Sequence, residues 1–149
     1  IVIAGDAAAV ERACALANEA GARRCVPLKV SGPFHTSLMA PAGDALRQRF
    51  AQVSFAPMDF PVFFNCTGRT LGEKESIPAL LERQVQSSVY LEDSIRAMAE
   101  MGVDTFLEIG PGKALTGFVK KTVKGAATLT VESAEDMKAA LAALKGEQA

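Results

Sequence analysis

"DTFLEIGPGKALTGFVKK", residues 104–121, holds the architecture in miniature. "DTFLEI" is short and largely apolar, and Gly110 ends it at once, so it reads as a strand. "GPGKALTGFVKKTV" then turns through two glycines into a helix. A strand that passes through a tight turn into a helix is the repeating step of α/β proteins. The same stretch invites comparison with a phosphate-binding loop and fails it twice. Ala114 follows Gly112-Lys113 where a magnesium-binding hydroxyl belongs, and Leu107 stands where the first glycine belongs. The glycines are therefore read as the turn itself, where unusual dihedrals or close backbone approach are needed.

The alternation continues outward from this unit. "ATLTV" at 127–131 is a further strand, and the alanine- and leucine-rich stretch Ala134–Leu144 is a closing helix. Upstream, Tyr90–Met101 is helical with Ile95, Met98 and Ala99 on one face, and 76–86 is another helical segment. "FAPMDFPVFFNCTG" is punctuated by prolines and holds a short strand at 61–65 and a turn at 67–68. Leu38, Ala42, Leu46 and Phe50 recur at helical spacing, with Thr36 or Ser37 available as the cap. The opening 30 residues read as β-α-β. Strand 1–4 leads to a helix that Asp6 caps and Gly21 stops, and then to an extended segment at 25–30. Pro27 restricts that last segment to an edge or a strand end. Two strands and a helix cannot close a core, and both groups of strands need partners that the chain does not evidently contain.

Composition narrows the function. With 149 residues, 49% hydrophobic and 22% charged, the chain can bury a core and is not of disordered composition. A net charge of −1 offers no footprint for nucleic acid. Lys120, Lys121 and Lys124 form the one basic cluster, read as a solvated helix C-terminus. No apolar run approaches the ~20 residues that span a bilayer, and Asp6 and Glu11 interrupt the apolar start, so neither a membrane segment nor an export signal is expected. Three widely spaced cysteines fit reduced thiols in a cytoplasmic protein. One histidine and no HExxH or CxxC spacing argue against a metal site.

The single histidine, His35, lies in "VSGPFHTSLM", residues 30–39. An extended segment ends just before it, Gly32-Pro33 makes a turn, and a helix begins just after. That arrangement puts a side chain at the rim of an α/β sheet, where active-site loops collect. No GxSxG elbow occurs anywhere in the chain. If His35 is a general base, its nucleophile is not visible; the internal alternative is a thiol such as Cys66.

At this motif the chain resembles the malonyl-CoA:acyl-carrier-protein transacylases of fatty acid synthesis and the related acyltransferase domains of polyketide synthases. "IVIAGDAAAVE", "GARRCVPLKVSGPFHTSLM", "ALLERQV" and "AEMGVDTFLEIGPGKALTGFVKK" follow one another in the family's order and at its spacings, and an alanine-rich helix closes the chain. The resemblance implies the C-terminal part of an acyl transferase fold, a hydrolase-like α/β core with a small ferredoxin-like subdomain. Residues 1–30 would be the second half of that subdomain and 31–149 the closing part of the core. It implies malonyl transfer from malonyl-CoA to the phosphopantetheine thiol of acyl-carrier protein through a malonyl-serine ester. His35 would be the general base and acid, and Gln84 would orient it through a main-chain carbonyl. Phe34 would restrict the acyl group to malonyl, the alternative being a core plug under the loop, and Asn65 matches a family asparagine that would either contact substrate or bond the backbone. No cofactor is implied, since malonyl-CoA is a substrate and phosphopantetheine belongs to the carrier protein. The nucleophilic serine and the carboxylate-binding arginine would come from an N-terminal portion of the same enzyme. The alternative is a non-catalytic fragment that binds carrier protein or acts as a scaffold.

Overall fold

A computed structural model describes residues 1–146 and divides the chain into two compact units, Ile1–Tyr90 and Leu91–Ala149. The fold is mixed α/β, as expected, and the last three residues of the span 31–149 lie outside the described residues.

The first unit contains helices α1 (Ala7–Glu19), α2 (Ala40–Phe50) and α3 (Ile77–Gln84), with a single 3₁₀ turn at Ser37–Met39 leading into α2. Asp6 caps α1 as expected, accepting the Ala9 N–H at 3.1 Å. The Thr36 hydroxyl accepts the Leu38 N–H at 3.3 Å and so caps the 3₁₀ turn, whereas α2 begins after Met39 with no side-chain cap. Phe64, Cys66 and Leu80 form the buried centre, with Met58, Leu71, Ile77 and Leu81 packed around it. A bidentate Arg69–Glu75 pair, at 2.8 and 3.0 Å, ties down the loop between Phe64 and α3.

The strands expected in this unit are corrected. Residues 1–4 and 25–30 form none, and 61–65 supplies only one antiparallel bridge, Phe64 to Arg69. A strand needs a ladder of partners, and among the described residues nothing pairs with these segments. Their apolar side chains stay in solvent: Ile1, Val2, Ile3, Val26, Leu28 and Val30 are all exposed. Of the β-α-β pattern, the helix alone is formed.

The second unit realises the strand–turn–helix. Strand β1 (Thr105–Ile109) pairs in parallel with β2 (Ala127–Val131), in register from Thr105–Ala127 to Ile109–Val131. Helix α5 (Ala114–Thr122) lies against both strands, α4 (Leu91–Glu100) against α5, and α6 (Ala134–Lys145) against β2. Ile95, Val119, Val131 and Ala140 are the buried hydrophobic residues of this unit, with Ser94 of α4 buried beside Ile95. A capping box of Ser133 and Asp136 starts α6. Lys120 and Lys121 occupy the last turn of α5 and, with Lys124, are exposed, as their reading as a solvated helix end requires.

The glycine turn owes its shape to backbone and to two carboxylates, Glu108 and Glu132, the second of which accepts the Gly112 N–H. Gly110 and Gly112 have φ of 133° and 90°, conformations that a side chain would strain. Glu108, at the end of β1, accepts the Leu115 and Thr116 N–H groups at 3.1 and 2.7 Å. The spot where a phosphate would sit in a nucleotide-binding loop is thus filled by the chain's own carboxylate. Hydrogen bonds from the Thr116 side chain and then its backbone N–H, with that of Leu115, hold the Glu108 carboxyl below its ordinary value of 4.5. The unfolded chain therefore binds this proton more readily than the folded one. The stabilisation is complete above pH 4.5 and is lost as pH falls through the lower folded value. Glu75, Glu82 and Asp136 are lowered too, through Arg69, Arg47 and the Glu132 N–H respectively, so acid removes several supports together. Thermal melts from pH 7 to pH 3 are expected to show Glu108→Gln less stable than wild type at neutral pH, with the two curves converging in acid. Parallel curves would exclude the capping role.

Candidate active site

His35 is held in an uncommon way. Its φ of 63° is the only positive value at a non-glycine residue among the described residues. Histidine visits this left-handed region more readily than most side chains, but a position that keeps it there is over-determined by its surroundings. Two carbonyls at the end of α3 do the holding. The His35 N–H donates to the Val85 carbonyl at 3.0 Å, and the ring Nδ1 lies 2.9 Å from the Gln84 carbonyl. The Thr36 hydroxyl donates to the Pro33 carbonyl at 2.7 Å and closes the loop on itself.

This geometry settles the tautomer. A carbonyl only accepts, so the proton of the neutral ring sits on Nδ1, and Nε2 keeps its lone pair. His35 is exposed. The last carbonyls of a helix lack partners within it and carry the negative end of its dipole. His35 thus supplies two donors to α3 and receives a partial negative charge beside its ring. A triad carboxylate would orient the ring in the same way while bringing a full charge.

The other expected site residues fall into place unequally. Gln84 meets His35 through its main chain, so its side chain is not part of the contact. Phe34 is 45% exposed, and its ring lies beside Gly32. Asn65 lies between buried Phe64 and Cys66, its carbonyl accepting the Tyr90 N–H at 2.8 Å, and it makes no hydrogen bond to His35 or Gln84. The Val85 carbonyl was not anticipated, because a main-chain acceptor leaves no trace in residue type.

Two of the three thiols are poorly placed as nucleophiles. Cys66 is 1% exposed and its thiol points at the Leu80 carbonyl, 3.6 Å away. Burial, followed by the neighbouring Cys25, pushes the Cys14 thiol up from its ordinary value, which disfavours the reactive thiolate. Among the described residues no grouping of three or more His, Cys, Asp or Glu could hold a metal ion, and no helix is long and apolar enough to cross a membrane.

No family model matches the chain. Individual proteins do. A malonyl CoA-acyl carrier protein transacylase of Bacillus subtilis is 43% identical over 147 residues, 99% of this chain and 46% of its own length. The crystal structure of a malonyl CoA-acyl carrier protein transacylase from Clostridium perfringens superposes with a TM-score of 0.89 at 38% identity, over 95% of this chain and 45% of that one. The chain matches the malonyl CoA-acyl carrier protein transacylases in both sequence and fold. A transacylase of Escherichia coli (strain K12) is likewise 40% identical over 97% of this chain and 46% of its own length. The chain thus spans just under half the length of the curated transacylases it matches.

Proposed function

We propose that this chain is the histidine-bearing part of a malonyl-CoA:acyl-carrier-protein transacylase acting in cytoplasmic fatty acid synthesis. The observation that carries the reading is the His35 ring, fixed by a helix-terminal carbonyl with Nε2 left to accept a proton. Nε2 takes the proton of a serine hydroxyl as its oxygen attacks the malonyl thioester. The same nitrogen returns the proton to the departing CoA thiol, leaving a malonyl-serine ester. Nε2 then takes the proton of the carrier protein's phosphopantetheine thiol, whose sulfur attacks the ester, and returns it to the serine oxygen.

The serine and the arginine that pairs with the malonyl carboxylate belong to the part of the enzyme that this chain does not include. The unpaired segments support this. Ile1, Val2, Ile3, Val26, Leu28 and Val30 are exposed without strand partners, and β1 leaves Leu107 and Ile109 exposed although parallel sheets are normally covered on both faces. We assign 1–30 to the ferredoxin-like subdomain and 31–149 to the hydrolase-like core. The test is co-expression with the complementary front portion of a transacylase, followed by labelled malonyl transfer to acyl-carrier protein. Transfer by the pair and by neither part alone is expected. A stable pair that binds carrier protein without transferring malonyl would favour the scaffold reading.

Phe34, whose ring is half-exposed, sets the acyl group in this reading by restricting the space at the substrate's α-carbon. Phe34→Ser is expected to raise methylmalonyl transfer relative to malonyl by about tenfold or more, the scale of one methylene in an unyielding pocket. Competition between the two thioesters in the same assay reads the ratio. An unchanged ratio would return Phe34 to a packing role.

A further inference from the structure

We propose that Arg47 and Glu82 are a positioning pair that fixes the His35 ring by clamping the two helices flanking its loop. The loop that holds His35 runs through the 3₁₀ turn directly into α2, and the carbonyl that orients the ring belongs to the last residue of α3. The ring's orientation therefore depends on where α3 ends relative to where α2 begins. One side-chain contact spans that gap with defined geometry. Arg47 of α2 donates from Nε and Nη2 to the two carboxylate oxygens of Glu82 of α3, at 3.0 and 2.6 Å. Glu82 lies two residues before Gln84.

Three features set this pair apart from an ordinary surface ion pair. It is bidentate, which fixes angle as well as distance. The Glu82 side chain is only 18% exposed, so solvent screens the contact less than it screens the Arg47 contact with Asp44, whose side chain is 59% exposed. The helices also meet closely beside it. A Cβ on Gly43 of α2 would lie 2.6 Å from Nε2 of Gln86, just past α3, and 3.8 Å from Cγ of Glu82, so these side chains pack directly over the glycine. The Gln86 and Glu82 side chains packed over Gly43 bring α3 against α2, and the Arg47–Glu82 fork fixes how the two helices are aligned.

The consequence for acyl transfer rests on the function proposed above; the consequence for the ring does not. Because His35 is the only histidine of the chain, ring nitrogen shifts in histidine-labelled full-length chain report its tautomer directly. At a pH where the ring is neutral, wild type is expected in the Nδ1–H form. Arg47→Ala is expected to lower the ratio of Nδ1–H to Nε2–H by roughly twofold to fivefold, the range an exposed but well-formed ion pair can hold. Arg47→Lys, which keeps charge but not the fork, should fall between them. Asp44→Asn, which removes only the intrahelical partner of Arg47, should leave the ratio unchanged. Circular dichroism of each variant checks that α2 and α3 persist, and Arg47→Lys carries the test if Arg47→Ala does not fold. An unchanged ratio in the arginine variants would overturn the clamp. So would an Asp44→Asn shift as large as theirs, which would indicate a field effect of Arg47. Loss of transfer with an undisturbed wild-type ring would fault the functional reading and leave the clamp standing.

Discussion

His35→Asn is expected to abolish malonyl transfer in the reconstituted enzyme while leaving the loop intact. Removing a general base of this kind costs about 10²–10⁴-fold in rate. Alanine is the usual substitution, but it would confuse two effects here. At a φ of 63° a Cβ with no local hydrogen bond is strained, and alanine also discards the donor to the Gln84 carbonyl. Asparagine tolerates the left-handed conformation and carries an amide N–H that can reach the same carbonyl. What it lacks is a basic nitrogen in the place of Nε2. His35→Asn should therefore melt close to wild type and transfer at most about one hundredth as fast, whereas His35→Ala should be both slow and less stable. Substantial transfer by His35→Asn would show that the fold's role is binding and that the base lies elsewhere. The contrast between the variants separates chemistry from loop geometry, which one alanine substitution cannot do.

The same loop shows where local sequence stops informing. Helices were legible because their determinants are local. Asp6 caps α1 within a few residues of itself, Thr36 caps the 3₁₀ turn that leads into α2, and the 3.6-residue periodicity does the rest. Strands were legible only at 104–109 and 127–131, where each found the other. Residues 1–4 and 25–30 have strand composition, but a strand is a relation between segments, and composition does not disclose whether the partner is present. The site was readable to a similar depth. Position after a Gly-Pro turn singled out His35, but Gln84 lies 49 residues away and acts through its main chain. Only resemblance to the transacylases linked the two. The left-handed backbone of His35 was invisible, since no glycine or asparagine marks it. Glu108 was read as part of a strand, and its capping of α5 depends on a turn geometry that two glycines permit without specifying.

Leu80→Ala is expected to lower stability by about 2–5 kcal/mol, the range for a buried leucine whose surroundings cannot collapse. Leu80 is 3% exposed, against Phe64 and Cys66 at the centre of the first unit. This core is small, so few other side chains could fill the space, and a loss of that size is a large share of the ~5–15 kcal/mol by which domains are stable. The effect should reach the active site, because Leu80 seats α3 and α3 ends at the carbonyl that orients His35. Cys66 supplies an independent reading. Its thiol is buried, so alkylation must wait for the core to open. If global unfolding governs that opening, labelling of Cys66 should accelerate by at least about thirtyfold in Leu80→Ala, following the stability loss. Cys14 and Cys25, half-buried on α1 and the extended segment, should label at nearly unchanged rates. His35→Asn, which touches none of this core, should leave the Cys66 rate alone. Equal Cys66 rates in wild type and Leu80→Ala would mean that the core does not hold α3, and the link from packing to the orientation of His35 would fail at its first step.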